Sequence, residues 1–352
     1  MNILIFSFHQ FGLLVDPLKY CQYAVKDFNL TYLGWDYGRS RVEIPGVKVK
    51  YISRDGGIIT RNIRLLSALN KEIASGKYDV TLLHYTRGIS LVRLLHLKKK
   101  MIFDVRTLSV DRKKWKRKIF NSFLRIESLF FDNISVISDG LARKMKLKKY
   151  FLLPLGGDVM SMNRPIRNSF HLLYVGTLAG RDIIKCIQGL ELYIKISRDP
   201  IVEFTIIGDG PELTEINEFV QNSAVLNERV HCLGRIQHKE LAPYFEKADV
   251  GVSFVPITEW YNDQPPTKTF EYLLSGLPVI ATRTLENEKI LKNDPYCILI
   301  QDNAESFTKS LLQMKEVLAQ NPGTDYFSSR YNQYSWEYIV KKDFIPLIKE
   351  IK

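Results

Sequence analysis

Residues 261–282 concentrate the polar chemistry of this 352-residue chain. Asn262, Asp263 and Gln264 lead into Pro265 and Pro266, and Thr267, Lys268 and Glu271 follow. The proline pair holds the chain extended up to a first helical position, so a helix is expected from Thr267. Lys268 and Glu271 lie three apart and share a face of that helix. A cation and a carboxylate at one helix start suit a ligand with phosphates and hydroxyls; a surface ion pair is the alternative. Gly276 ends the helix and Pro278 opens an apolar strand.

Two other turns have a related form. Residues 173–181 run from an apolar strand through Gly176, Thr177 and Gly180 to Arg181 at the start of a helix. Helix N-terminal amides beside an arginine make a site for a diphosphate; a solvated arginine is the plainer reading. Residues 206–212 place Gly208, Gly210 and Pro211 between a strand and a helix. This spacing is not G-x-G-x-x-G, so it carries no dinucleotide expectation and reads equally as a tight turn. His9 and His84 close predicted strands at the end where ligands bind in open sheets, as sugar contacts or as structural histidines. His231 and His238 read as structural. The cysteines (Cys21, Cys186, Cys232, Cys297) are scattered and there is no Asp-x-Asp, so no metal is expected.

These residues need elements to position them. Apolar runs at 2–8, 29–33, 47–52, 80–84, 101–105 and 134–137 alternate with helical patterns such as 61–74 and 112–131. The rhythm restarts with strands at 172–175, 203–207, 230–233, 250–255, 278–281 and 297–300, each followed by a helix. Strand–helix alternation predicts parallel sheets covered on both faces. Residues 155–168 read as a linker, which implies two α/β domains with an active site in the cleft between them. Residues 336–352 form an amphipathic pattern with no strand after it, free to cross back to the first domain.

Charge divides unevenly. Residues 1–150 hold 29 Lys and Arg against 12 Asp and Glu, and the remainder hold 21 against 26. The basic half implies an anionic partner. Within it, residues 112–131 set a basic, Trp115-bearing start before an apolar run, which fits a helix lying on an anionic membrane surface. No nucleic-acid-binding module accompanies the charge, so no nucleic-acid partner is expected. Composition excludes a disordered chain and a small disulfide scaffold. No secretory signal and no apolar run of about 18 residues is visible.

Residues 268–282 resemble the signature of the retaining nucleotide-sugar glycosyltransferases of family 4, which have the GT-B fold. Agreement continues through 174–177, 207–212, 230–241, 248–250 and the Pro154–Asp158 segment, and more weakly through 103–106 and 137–141. Residues 264–272 and 104–107 look most like members that build bacterial capsule and other surface polysaccharides. The resemblance implies two Rossmann-like domains facing across a cleft: an acceptor domain over 1–157, a nucleotide-sugar donor domain over 158–335, and a helix over 336–352 packing back on the first. It implies transfer of a sugar from a UDP- or GDP-sugar, with retention and without metal or cofactor, to a lipid-linked saccharide. The chain would act in the cytoplasm, peripherally on the inner membrane face.

Residue by residue, the family's pair of glutamates falls on Asp263 and Glu271. Glu271 would hold the ribose hydroxyls, and Asp263 departs from the pattern at the donor sugar. Its phosphate-binding arginine falls on Thr177, leaving Arg181, with Lys268 or Lys185, to neutralise the diphosphate. Catalytic roles are thus expected at Arg181, Lys268 and Asp263. Donor contacts are expected at Glu271, Gly12, Thr177, Gly208, Thr267 and Glu288, and acceptor-side contacts at His84 and Arg106. A sugar-nucleotide epimerase or hydrolase of the same fold, and a non-catalytic basic membrane-binding protein, are the competing readings.

Overall fold

A computed structural model describes residues 1–111, 113–162, 170–199, 201–320 and 323–351. The parts of the readings above that fall on Arg112, residues 163–168 and Lys352 lie outside them. The chain divides into two units, Met1–Leu155 with Trp336–Lys352, and Gly156–Ser335.

The first unit runs β1 (Asn2–Phe6), α1 (Val15–Ala24), β2 (Asn29–Trp35), β3 (Val47–Ile52), α2 (Ile58–Ala74), β4 (Val80–His84), α3 (Ile89–Leu95), β5 (Met101–Val105), α4 (Lys114–Ser128), β6 (Asn133–Val136), α5 (Asp139–Met145) and β7 (Phe151–Leu152). Its strands form one parallel sheet in the order β3-β2-β1-β4-β5-β6-β7. Alternate residues of β1 feed opposite faces: Leu4 and Phe6 pack into one core, Ile3 and Ile5 into the other. Central strands β4 and β5 are buried along their whole length, whereas edge strand β3 alternates. Burial on both faces explains the unbroken apolar runs in the sequence.

The second unit runs β8 (Phe170–Val175), α6 (Ile184–Ser197), β9 (Val202–Ile207), α7 (Leu213–Gln221), β10 (Val230–Cys232), α8 (Ala242–Lys247), β11 (Val250–Ser253), α9 (Thr267–Leu274), β12 (Val279–Thr282), α10 (Leu285–Leu291), β13 (Ile298–Ile300), α11 (Ala304–Ala319) and α12 (Thr324–Tyr331). Its parallel order is β10-β9-β8-β11-β12-β13. Both sheets share the doubly wound Rossmann pattern. The strand order reverses beside β1 in the first and beside β8 in the second.

The chain then re-enters the first unit as α13 (Trp336–Ile339), a π-helical turn over Val340–Phe344, and α14 (Ile345–Glu350). Pro346 has no N–H to give to that turn, which accounts for the widened geometry. Trp336, Val340, Phe344 and Ile348 enter the core that also contains Ile3, Ile5 and Tyr20. Tyr20 stacks on Phe344 with ring centres 4.4 Å apart and meets Trp336 edge-on at 6.3 Å. Truncating a buried tryptophan costs about 3–5 kcal/mol. Trp336→Ala is expected to destabilise the first unit by that amount, seen as faster hydrogen exchange in β1 and β2 with α6 and α11 unchanged.

Candidate functional site

In the second unit the chain leaves β8 toward β9 on one side, and β11 pairs on the other. A crevice must open above the carboxyl ends of β8 and β11, because their following loops diverge. A cavity of about 250 Å³ occupies that position. Gly176 and Thr177 after β8, Phe254 and Val255 after β11, and Thr267 and Lys268 at the start of α9 line it, with Arg181 and Tyr261.

Glycines shape the near wall. A Cβ on Gly208 would stand 1.7 Å from the Gly176 carbonyl oxygen, so only glycine lets the two turns meet. Gly208 therefore supports the cavity through Gly176 and does not itself line it. Arg181 lies over the Tyr261 ring, 4.5 Å from its centre, which holds the guanidinium at the cavity. The sequence carries no signal for this pairing, since the two residues are far apart in the chain.

The amides of the turn that leads into α6, where a diphosphate was expected, are already occupied. The Glu212 carboxylate accepts from the backbone N–H of Gly180 at 2.5 Å, Arg181 at 3.3 Å and Asp182 at 3.2 Å. An internal carboxylate thus stands where an external anion was expected. Of the anion-binding pair read at this turn, only the Arg181 side chain faces the cavity.

At α9, Lys268 and Glu271 do share a face: Nζ donates to Oε2. Glu271 is 3 % exposed. His238 Nε2 lies 3.4 Å from Oε1 of Glu271 and 3.8 Å from a carboxylate oxygen of Asp158. His238 is therefore not the isolated structural histidine read from the sequence, but part of an Asp158–His238–Glu271–Lys268 cluster. Burial pushes the Glu271 carboxyl up, but the bond from His238 and the charge of Lys268 outweigh it and hold it below the usual carboxylate range. Gly157 lets this cluster form: a Cβ there would stand 2.8 Å from the Glu271 backbone nitrogen.

Behind the cavity a buried polar chain fixes α9. The Ser253 and Thr269 hydroxyls lie 2.7 Å apart, Thr269 donates to Asn287 Oδ1 at 3.1 Å, and Asn287 Nδ2 donates to the Thr282 carbonyl at 2.8 Å. These bonds join β11, α9, β12 and α10 without leaving a buried group unmatched.

Other expected donor residues fall elsewhere. Glu288 pairs with Arg283 at 2.8 Å on an exposed face of α10 and does not line the cavity. Lys185 pairs with Asp182 at 3.1 Å, which leaves Lys268 as the second cation at the cavity. Asp263 is buried in the loop before α9 but is not among the lining residues. Gly12 belongs to the first unit, after β1, with φ near +89°.

The first unit has its own crevice at the same topological place, between the ends of β1 and β4. A cavity of about 330 Å³ is lined there by Phe8, His9, Trp35, His84, Tyr85 and Arg87, among others. His84 Nε2 lies 3.0 Å from Asp104 Oδ2, with neither atom gaining a well-directed hydrogen bond. Burial, then the nearby charges of His84 and Arg54, lower the His9 pKa to about 4, so His9 is neutral at neutral pH. Arg106 lines the cavity but is committed internally. It donates to Asp16 at 2.7 Å and to the Leu153 carbonyl at 2.8 Å, tying β5 to α1 and the end of β7. Its expected acceptor contact is replaced by a positioning role.

On α4 the apolar stripe faces outward. Trp115, Ile119, Phe123, Ile126 and Leu129 are all exposed, and the buried face of the helix is Leu124, Glu127 and Ser128. Among the described residues no helix is long and apolar enough to cross a membrane, and no three His, Cys, Asp or Glu side chains gather as a metal site.

Residues 169–316 match the family model described as glycosyl transferases group 1. Curated protein sequences give no match. Among solved structures, sucrose-phosphate synthase from Thermosynechococcus elongatus superimposes with TM-score 0.76 at 16% identity, over 99% of this chain and 98% of that one. Anabaena HepE in complex with UDP and glucose gives 0.74 at 12% identity, over 99% and 100%. The lipopolysaccharide outer core galactosyltransferase WaaB gives 0.68 at 13% identity, over 99% of both. The chain has the GT-B fold, two Rossmann-like α/β domains, and the match to the group 1 glycosyl transferase model falls within its second unit.

The charge state of Glu271 gives a test of the α9 cluster. Its stabilisation is complete above the ordinary glutamate value of about 4.3 and is lost as the pH falls through the lower folded-state value. Glu271→Gln should cost about 2 kcal/mol at neutral pH, since it removes a charged acceptor from both His238 and Lys268. The penalty should vanish in acid, as followed by urea unfolding across the acidic range.

Proposed function

We propose that the chain transfers a sugar from a nucleotide-sugar donor, with retention, to a hydroxyl of a lipid-linked saccharide in surface-polysaccharide assembly. The observation that carries this reading is the switch-point cavity of the group 1 domain, where two cations, Arg181 and Lys268, stand beside the buried Glu271 carboxylate. Relatives of the same fold were solved with UDP-sugars, Anabaena HepE among them.

The chemistry follows from the charges. The bond between the anomeric carbon and the phosphate oxygen breaks, leaving negative charge on the diphosphate and positive charge on the sugar. Arg181 and Lys268 neutralise the diphosphate from fixed positions, a preorganised stabilisation that strengthens as the bond lengthens. Thr177 and Thr267 offer hydroxyls and Gly176 a bare backbone to the phosphates. Glu271 accepts from the ribose hydroxyls, while Asp263 orients the donor sugar through the loop before α9. The acceptor hydroxyl attacks from the face the phosphate leaves, and its proton passes to the leaving phosphate oxygen. No protein nucleophile and no metal is required in this scheme.

The acceptor is assigned to the first unit and the membrane to α4. Its exposed stripe of Trp115, Ile119, Phe123 and Ile126 is flanked by Lys113, Lys114, Lys116 and Arg117. Such a helix suits an anionic interface, which supports a peripheral position on the cytoplasmic membrane face.

A ligand that binds only the native state adds about 2.7 kcal/mol at a hundredfold excess over its Kd. One of UDP-, GDP- or ADP-sugars should therefore raise the melting temperature, and Arg181→Met or Lys268→Met should weaken that ligand at least tenfold. If no nucleotide sugar stabilises the chain, the donor assignment is wrong. Separately, reversing charge at Lys113, Lys114, Lys116 and Arg117 should abolish sedimentation with anionic vesicles while sparing nucleotide binding. Undiminished sedimentation would remove α4 as the docking element.

A further inference from the structure

Buried polar atoms are ordinarily paired, so those left unpaired point to what a site lacks. Among the described residues, the buried side-chain atoms without a partner include His9 Nδ1, Trp35 Nε1 and Tyr85 OH. All three belong to residues lining the first-unit cavity described above. Beside them the buried His84 and Asp104 face each other at 3.0 Å. The cavity, at about 330 Å³, falls within the range of roughly 300–1,000 Å³ found for small-ligand sites.

Its walls combine two chemistries. Phe8, Trp35, Tyr85 and Phe120 present ring faces and edges, against which the C–H face of a pyranose packs. Near them stand arginines that pair with no carboxylate among the described residues; Arg87 lines the cavity, and Arg54 and Arg61 stack on its Trp35 wall. Arg54 lies over Tyr37 at 3.9 Å and over Trp35 at 5.2 Å, Arg61 over Trp35 at 5.6 Å, and Arg87 over Phe120 at 5.9 Å. Arg54 and Arg61 each also have a buried Nε without a hydrogen-bond partner. Elsewhere in the same unit, buried arginines are matched: Arg93 to Asp132 and Arg106 to Asp16. Asp104 is the one acid among the lining residues and lies 3.6 Å from the Arg106 guanidinium, so Arg87 adds a cation with no acid of the wall to match it.

We propose that this cavity binds a carbohydrate unit that carries a negative charge, a phosphate or a carboxylate. The rings hold the sugar and Arg87, on the cavity wall, receives the anion, with Arg54 and Arg61 adding positive charge behind Trp35. The assignment of this unit as acceptor rests on the glycosyltransferase reading, and it narrows that acceptor to a charged saccharide. Arg106 positions the floor of the site by fixing Asp104.

The test uses the whole protein and calorimetric titration with glucose 6-phosphate, glucuronate, glucose and inorganic phosphate. One or both charged sugars should bind at least tenfold more tightly than glucose, and the tighter of them names the anionic group. Arg87→Met, at an exposed position, should reduce that binding at least fivefold, leave glucose unchanged and be restored in part by Arg87→Lys. Should the variant misfold, Arg54→Met supplies the same readout. UDP-glucose titrated into each variant reports the second unit independently. If charged sugars bind no better than glucose, if inorganic phosphate binds as tightly as the sugar phosphate, or if the arginine variants change nothing, the proposal falls. Charged-sugar binding without any nucleotide-sugar binding would instead overturn the transferase reading and keep the carbohydrate site.

Discussion

Everything proposed here depends on one feature of parallel sheets. A strand that starts a doubly wound sheet has neighbours reached by connections on opposite faces, so the loops above its carboxyl end must part. In the second unit that strand is β8, between β9 and β11. In the first it is β1, between β2 and β4. The backbone ladder alone opens both crevices; side chains only decide what each will hold. That is why two cavities with unlike linings occupy equivalent positions, and why neither arises from a loss of packing in the adjoining cores.

The linings differ because the local electrostatics are settled by different means. In the second unit the turn amides after β8 are satisfied internally by Glu212, so an incoming anion is met by side chains, Arg181 and Lys268. Tyr261 holds Arg181 and Glu271 holds Lys268, so both cations are in place before a ligand's charge develops. Glu271 is kept ionised despite burial because it is held by both Lys268 and His238. A carboxylate maintained this way can accept from neutral hydroxyls without taking up a proton first.

Sequence and structure agree most where local rules decide. The prolines before Thr267 and the glycine after Ser275 set α9 to within a residue, and the apolar runs mark the strands. Short-range patterning also shows that α4 is amphipathic, but not that its apolar side is the exposed one, because that depends on what packs above it. Contacts between distant positions were not legible. Glu212 meets Gly180 from 32 residues away, and His238 meets Glu271 from 33, so neither spacing carries a periodic signal. Glu288 illustrates the converse error. An acidic residue near the right strand was expected at the donor, but α10 turns it outward onto Arg283.

The uneven charge of the two halves acquires a physical division from these sites. A nucleotide diphosphate is highly charged, yet the half assigned to it is the acidic one. Long-range attraction is screened beyond about 8–10 Å at physiological salt, so net domain charge contributes little to holding a ligand. What matters is the pair of cations within the crevice, and those are present. The basic half is different, because a membrane surface and a surface-wide patch of lysines interact over an area and not at a point. Its arginines near Trp35 and Tyr37 serve a third purpose. Stacked on rings and, among the described residues, unpaired with carboxylates, they add positive charge behind the Trp35 wall of the cavity, at a range where screening is weak.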